Sequence, residues 1–315
     1  MEDPGELPPV NPIIPSLDPV LEDIVGKPKE FTDDFQLYKG SEGIFSSMGV
    51  TAPSTYLLEG VPGTGKTFGI HALNNTYNKS VVLKHMLGEE LHRDDFNLIV
   101  FEYALGKHGS SYINKGSLIV QHVFDVAGGL ASIGKPTLLF IDEADAVLAK
   151  RDGATQSHAE DKKVLETIMK NLQVAHDTPN FYVVLATNIP GQCDEASLRA
   201  GRIDRRYHFK LPTLSERVTA YESFINKSCE NAGYKVIRQY NSEKLADMSD
   251  GFSYADIRQS VDGAVIQRAK ELALTKNKGI ITAGYVTQKR LEKALMEHGN
   301  EFKTRKNPQK RKIGF

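Results

Sequence analysis

Cysteine is scarce. The 315-residue chain has two, Cys193 and Cys229, and neither belongs to a metal-ligand spacing, so free thiols in a reducing cytosol are the plain reading. Long apolar runs are missing, which excludes a bilayer-spanning helix. The first six residues, Met-Glu-Asp-Pro-Gly-Glu, are acidic and unlike a secretory signal. Neither sign of charge is in excess. Lys+Arg number 39 against 40 Asp+Glu, so global charge does not advertise nucleic acid. No internal repeat is evident. The expectation is a cytoplasmic protein with no membrane partner. Hydrophobic residues make up 40% and charged residues 25%, an ordinary globular balance. The length suits about two domains.

Two segments carry chemistry. Residues 60–67 read Gly-Val-Pro-Gly-Thr-Gly-Lys-Thr and fit the phosphate-loop pattern G-x-x-x-x-G-K-[ST]. The glycines let backbone N–H groups curl around phosphates. Lys66 can reach the β- and γ-phosphates, and Thr67 can offer its hydroxyl to Mg²⁺. Residues 54–59 before the loop have a buried-strand pattern, and 66–73 after it can start a helix, which is the context such a loop requires. The second segment begins with Pro-Thr-Leu-Leu-Phe-Ile at 136–141, a continuous apolar strand of the buried parallel kind. It delivers Asp142 and Glu143 at its C-terminal end, where ligands bind in open α/β sheets. Asp142 is suited to hold Mg²⁺, directly or through water. Glu143 is suited to polarise an attacking water as general base. Together the segments imply hydrolysis of a nucleoside triphosphate.

Around these motifs the chain divides into four regions. Residues 1–20 hold many prolines and predict an extended or disordered arm. Residues 21–212 predict an α/β domain, with strands at 54–58, 97–103, 137–141, 181–186 and 207–211 separated by helical patterns. A parallel sheet with crossover helices follows from that alternation. Over 213–300 the strand signal fades, and 215–232, 242–248, 254–274 and 287–298 read as helices of a small α-helical lid domain. Residues 301–315 are a basic tail without acidic residues after Glu301. It reads as a solvated end, with partner, polyanion or nucleic-acid contact as the alternative.

Three further segments narrow the choice among triphosphatases. Ala186-Thr187-Asn188 ends the next strand, where an asparagine can orient the lytic water. Residues 198–205, Leu-Arg-Ala-Gly-Arg-Ile-Asp-Arg, space three arginines along one stretch. Residues 250–256, Asp-Gly-Phe-Ser-Tyr-Ala-Asp, open a helix of the second domain. In this order the set resembles the AAA clade of the AAA+ superfamily, which includes membrane-anchored AAA proteases, proteasomal ATPases, katanin and spastin. The resemblance covers roughly residues 21–298.

It implies a P-loop NTPase parallel sheet with flanking helices, followed by a helical lid, with ATP and Mg²⁺ as cofactors. Asp23, Ile24, Val25 and Gly26 match the segment whose backbone cups adenine. Val61, Pro62, Gly63, Thr64, Gly65, Lys66, Thr67 and Phe68 match the phosphate loop and the helix start. Thr67 and Asp142 match the metal ligands, Glu143 the catalytic acid and Asn188 the γ-phosphate sensor. Ala255 matches the lid residue beside the nucleotide. Arg202 and Arg205 match arginine fingers that enter a neighbouring subunit's site, where a planar, permanent charge meets the charge spread over phosphoryl oxygens. Arg199 and Arg206 read as surface charge.

Residues 111–124 resemble the clade's first pore loop and its following helix. Tyr112 and Ile113 then correspond to the aromatic–aliphatic pair that grips extended polypeptide in a hexamer's channel. Core packing is the plain alternative for Tyr112. The sequence also departs from the pattern. Val61 replaces a proline, and Asn114 and Tyr254 each replace a glycine. The interval from Thr67 to Tyr112 is long, with its surplus at 75–96, an added helix or hairpin or a plain loop. Residues 128–134 lengthen the approach to the acidic strand.

The expectation is a ring-forming ATPase, a hexamer, that remodels, unfolds or disassembles protein substrates through a central pore. Fingers acting in trans need a head-to-tail interface, which closes into a ring or a spiral. No His-Glu-x-x-His zinc site is present, and the last four residues, Lys-Ile-Gly-Phe, lack the penultimate tyrosine of a proteasome-docking tail. The rival readings are a motor on nucleic acid, with contact through the basic tail, and a nucleotide-dependent scaffolding switch.

Overall fold

The computed structural model of the protein describes residues 7–21, 24, 26–105, 115–148, 156–189, 203–274 and 284–306. Asp23, Val25, Tyr112, Ile113, Arg202 and the tail beyond 306 lie outside the described residues. The chain divides into two compact units, Met1–Lys210 and Leu211–Phe315.

The first unit is built on parallel strands β1 (Thr55–Gly60), β2 (Ile99–Ala104), β3 (Thr137–Asp142), β4 (Phe181–Thr187) and β5 (Arg205–Phe209), in the order β2-β3-β4-β1-β5. The apolar run of β3 is continuous because both faces of the sheet are covered. Leu139 and Ile141 enter one core cluster, while Leu138 and Phe140 enter the other. β4 alternates in the same way, Val183 and Leu185 against Tyr182 and Val184. β5 begins two residues before the predicted start and ends at Phe209. Its ladder with β1 runs from Tyr56↔Arg205 to Gly60↔Phe209. Arg205 and Arg206 are tolerated in a strand because they sit exposed at the sheet's edge.

Helices α1 (Lys27–Gly40), α2 (Glu42–Ser47), α3 (Lys66–Tyr77), α4 (Lys79–Met86), α5 (Gly116–Ser132), α6 (Asp145–Leu148) and α7 (Gln156–Asp177) flank the sheet. α5 buries Ile119, Val120, Val123, Phe124, Ala127, Leu130 and Ala131, the three-to-four spacing of one helical face. The surplus at 75–96 is structured. It finishes α3, forms α4 and ends in a short 3₁₀ turn at Arg93–Asp95. Val81 is buried in the core, and Asn78 ties the excursion to β2. The Asn78 amide donates to the Leu98 carbonyl at 2.8 Å, and its oxygen accepts from the Asn97 N–H at 2.8 Å. The described part of the N-terminal arm is extended and held. Ile13 N–H donates to the Val100 carbonyl at 2.7 Å, and Ser16 N–H to Asn75 Oδ1 at 2.8 Å.

The second unit contains α8 (Leu214–Ala232), α9 (Ser242–Met248), α10 (Tyr254–Leu274) and α11 (Gln288–Lys306). α8 starts with a capping box. Thr213 accepts from the Glu216 N–H, and the Glu216 carboxylate accepts from the Thr213 N–H. Gly233 closes it at φ 72°, where a side chain would be strained. Buried Arg217 donates to the Ala246 carbonyl at 2.9 Å and the Pro212 carbonyl at 3.0 Å. α11 runs to Lys306, into the stretch that reads in sequence as tail, since Lys and Arg are good helix formers. Among the described residues no helix is long and apolar enough to cross a membrane.

Candidate nucleotide site

β1 ends at Gly60, and the loop that follows turns back on itself before α3 starts at Lys66. Gly63 and Gly65 have φ of 79° and 97°, the left-handed region that favours glycine. A Cβ on Gly65 would lie 2.8 Å from the Pro28 ring, so the start of α1 packs directly on the loop. Thr64 is buried, and its hydroxyl donates to the Val61 carbonyl at 2.8 Å. Val61 and Pro62 are exposed at the loop tip, and Phe68 is half-buried. The loop therefore leaves its N–H groups at the N-terminus of a 12-residue helix, where the helix dipole favours anions.

Lys66 is 5% exposed, and its ammonium donates to the carbonyls of Gly60 at 2.6 Å and Val61 at 3.2 Å. Burial pushes its pKa down to about 8, only partly opposed by the carboxylates of Asp142 and Asp145. An anion beside it would restore the full charge. The site thus has an electrostatic deficit that phosphate oxygens fit.

The acidic residues arrive on β3. Asp142 Oδ2 accepts from the Thr67 hydroxyl at 3.0 Å, and Asp142 Oδ1 accepts from the Glu143 N–H at 2.7 Å. A hydroxyl and a carboxylate at hydrogen-bond distance are the hard oxygen donors that Mg²⁺ takes. The residues present therefore fit the ion. Glu143 is half-buried with φ 55°, an uncommon conformation for a residue with a side chain. The Ala144 N–H donates to the Ala186 carbonyl at 2.8 Å and ties this turn to β4.

Asn188 follows directly on the last residue of β4. Asn188 is half-buried, and its N–H donates to Asp145 Oδ1 at 3.1 Å. The structure thus brings Lys66, Thr67, Asp142, Glu143 and Asn188 to the C-terminal ends of neighbouring strands. Asp145, which the motifs do not single out, is drawn into this cluster by its bond to Asn188 and its charge near Lys66. Its position directly after the acidic segment is the only sequence signal it gives.

Of the adenine segment, Ile24 is buried, and Gly26 caps α1 with φ 73°. Ala255 is exposed in the first turn of α10, beside an open cleft shared with Arg258, Asp262 and His298. Arg205 opens β5, the strand next to β1, at the opposite end of the strands from the phosphate loop. It is exposed, with its guanidinium 5.5 Å from the Tyr38 ring centre. Beside it Asp204, not singled out by sequence either, accepts three hydrogen bonds from Ser54 and Thr55.

Residues 56–211 match the family described as ATPase family associated with various cellular activities (AAA). A proteasome-activating nucleotidase of Saccharolobus islandicus is 31% identical over 231 residues, covering 73% of this chain and 51% of that protein. The Methanosarcina mazei nucleotidase is 28% identical over 248 residues, covering 78% and 52%. That of Pyrococcus horikoshii is 29% identical over 262 residues, covering 82% and 56%. The chain spans about half the length of these curated relatives. The parallel sheet with flanking helices agrees with those matches, and the chain belongs to the AAA family of ATPases.

Proposed function

We propose that this chain hydrolyses ATP as the motor of a ring, a hexamer, that unfolds or disassembles protein substrates through a central pore. The observation that carries the hydrolytic part is the convergence of Lys66, Thr67, Asp142, Glu143 and Asn188 at the C-terminal ends of the neighbouring strands β3, β4 and β1. Thr67 and Asp142 would hold Mg²⁺, which when bound neutralises charge on the β- and γ-phosphate oxygens. Lys66 supplies a direct counter-charge. Glu143 takes the proton from the attacking water, which Asn188 helps to orient. Arg202 and Arg205 supply the remaining positive charge from a neighbouring subunit. The nucleotidases named above are proteasome activators by name, and that supports a protein as the substrate class.

Tyr112→Ala tests the coupling. Basal ATPase should stay within about threefold, because Tyr112 is proposed to face the channel, while unfolding of a tagged substrate protein should be lost. Unfolding at the wild-type rate would refute the pore assignment. Loss of salt-dependent single-strand binding instead would make nucleic acid the substrate.

A further inference from the structure

Asp204 stands between the two proposed finger arginines, and its bonding is denser than a strand start needs. Oδ2 accepts from the Ser54 N–H at 2.8 Å, the Thr55 N–H at 2.9 Å and the Thr55 hydroxyl at 2.8 Å. Oδ1 lies 3.2 Å from His176 Nδ1 at the end of α7. The Asp204 N–H donates back to the Thr55 carbonyl at 3.0 Å and to its hydroxyl at 3.1 Å. Thr55 is fully buried and is the first residue of β1, whose last residue, Gly60, opens the phosphate loop. The root of the arginine segment is therefore fastened to the same six-residue strand that carries the chain's own phosphate loop.

We propose that Asp204 is a positioning residue for the arginine fingers. Its carboxylate fixes the backbone directly before Arg205 to β1, so that the Arg205 guanidinium is presented to the neighbouring subunit's phosphates at a set distance. A misplacement of about 1 Å in such a group can cost on the order of 10²-fold in rate, which gives the clamp its leverage. An acceptor oxygen at this place is what the β1 end requires, because three donors from Ser54 and Thr55 converge on Oδ2. This inference rests on the trans-finger reading proposed above.

Asp204→Leu keeps the volume and removes every acceptor. Turnover should fall at least about tenfold while the KM for ATP changes less than about threefold, since Lys66, Thr67 and Asp142 lie at the other end of the sheet. Asp204→Asn retains an acceptor oxygen for the β1 donors and should recover turnover to within about threefold of wild type. Mixed with Lys66→Met subunits, Asp204→Leu subunits should regain activity, because an intact phosphate loop then meets an intact finger. A purely structural cap would give no such recovery. Thr55→Val removes one donor in a near-isosteric way and serves if Asp204→Leu does not fold; it should lower turnover several-fold, again with recovery on mixing. Wild-type turnover in folded Asp204→Leu or in Thr55→Val, or no recovery on mixing, overturns the inference. Arg202→Ala and Arg205→Ala run alongside. If both keep full turnover, the finger reading itself fails and takes this one with it; if either loses turnover while Asp204→Leu does not, only the positioning role is refuted.

Discussion

Lys66 offers the sharpest test, because its burial makes it a liability in the absence of nucleotide. The fall of its pKa from 10.5 to about 8 corresponds to ~3 kcal/mol, and solvent reaching the loop lowers that to about 2 kcal/mol. The sign follows from proton counting. Between about pH 8 and 10.5 the unfolded chain keeps the proton that the folded chain has lost. Stability therefore rises with pH across that window, and the penalty is fully present at pH 7. Lys66→Met removes the charge and also the hydrogen bonds to the Gly60 and Val61 carbonyls, worth about 1 kcal/mol. The variant should be more stable than wild type by about 1 kcal/mol at pH 7, a rise of roughly 2–4 °C in melting temperature for a unit of this size. By pH 10.5 the order should reverse, since only the lost hydrogen bonds remain. Saturating ATP with Mg²⁺ should raise the wild-type melting temperature and leave the variant's unchanged. Thermal melts of both proteins across pH 7–10.5, with and without nucleotide, supply all three readings. A variant that is less stable at pH 7 and stays so at pH 10.5 would refute the burial argument. A retained nucleotide shift would refute the phosphate-loop role.

Glu143→Gln should keep ATP binding and lower turnover by about 10²-fold or more, because shape survives and the base does not; near-normal phosphate release would remove Glu143 from its role. Gly65→Ala adds a methyl group 2.8 Å from Pro28 at φ 97°. It should destabilise the protein by about 1–3 kcal/mol and weaken binding of a fluorescent ATP analogue, and a wild-type melting curve would contradict the packing described.

The sheet was legible because β3 and β4 are apolar without interruption, and only burial on both faces explains such runs. The turn at 60–67 and the strand-end positions of Asp142, Glu143 and Asn188 were legible because each is a local feature set by one loop or one strand end. What escaped the sequence depends on distant partners. Asp145 holds Asn188 across 43 residues, and Asp204 holds Thr55 across 149. No window along the chain contains both members of either pair. The early start of β5 was hidden because Arg205 and Arg206 carry no apolar signal, and ladder pairing with β1 decides it. In the 75–96 stretch Val81 anchors a helix, but its short apolar run fits strand, helix or loop until the core beside it is known. The depressed pKa of Lys66 belongs to the same class, since burial is a property of the fold.

The polarity of the sheet leads to a last expectation. Gly60, Asp142 and Asn188 lie at or beyond the C-terminal ends of their strands, whereas Arg205 opens β5 and pairs with Tyr56. Tyr56 stands four residues before Gly60, roughly 13 Å along β1 at about 3.3 Å per residue. Arg205 is directed onto the Tyr38 ring at that end of the strands, away from its own phosphate loop. An arginine so placed does nothing for hydrolysis within its own subunit. If it contributes, it does so across an interface, and turnover per chain must then depend on assembly. Specific ATPase activity should rise with protein concentration and level off when assembly is complete, while the affinity for an ATP analogue stays constant. Arg205→Ala should flatten that rise without altering the affinity. Measuring phosphate release over a hundredfold dilution series, with sedimentation at each concentration, makes the comparison direct. Constant specific activity from the assembled to the monomeric range would mean that each chain completes its own site, and that Arg205 is surface charge stacked on Tyr38.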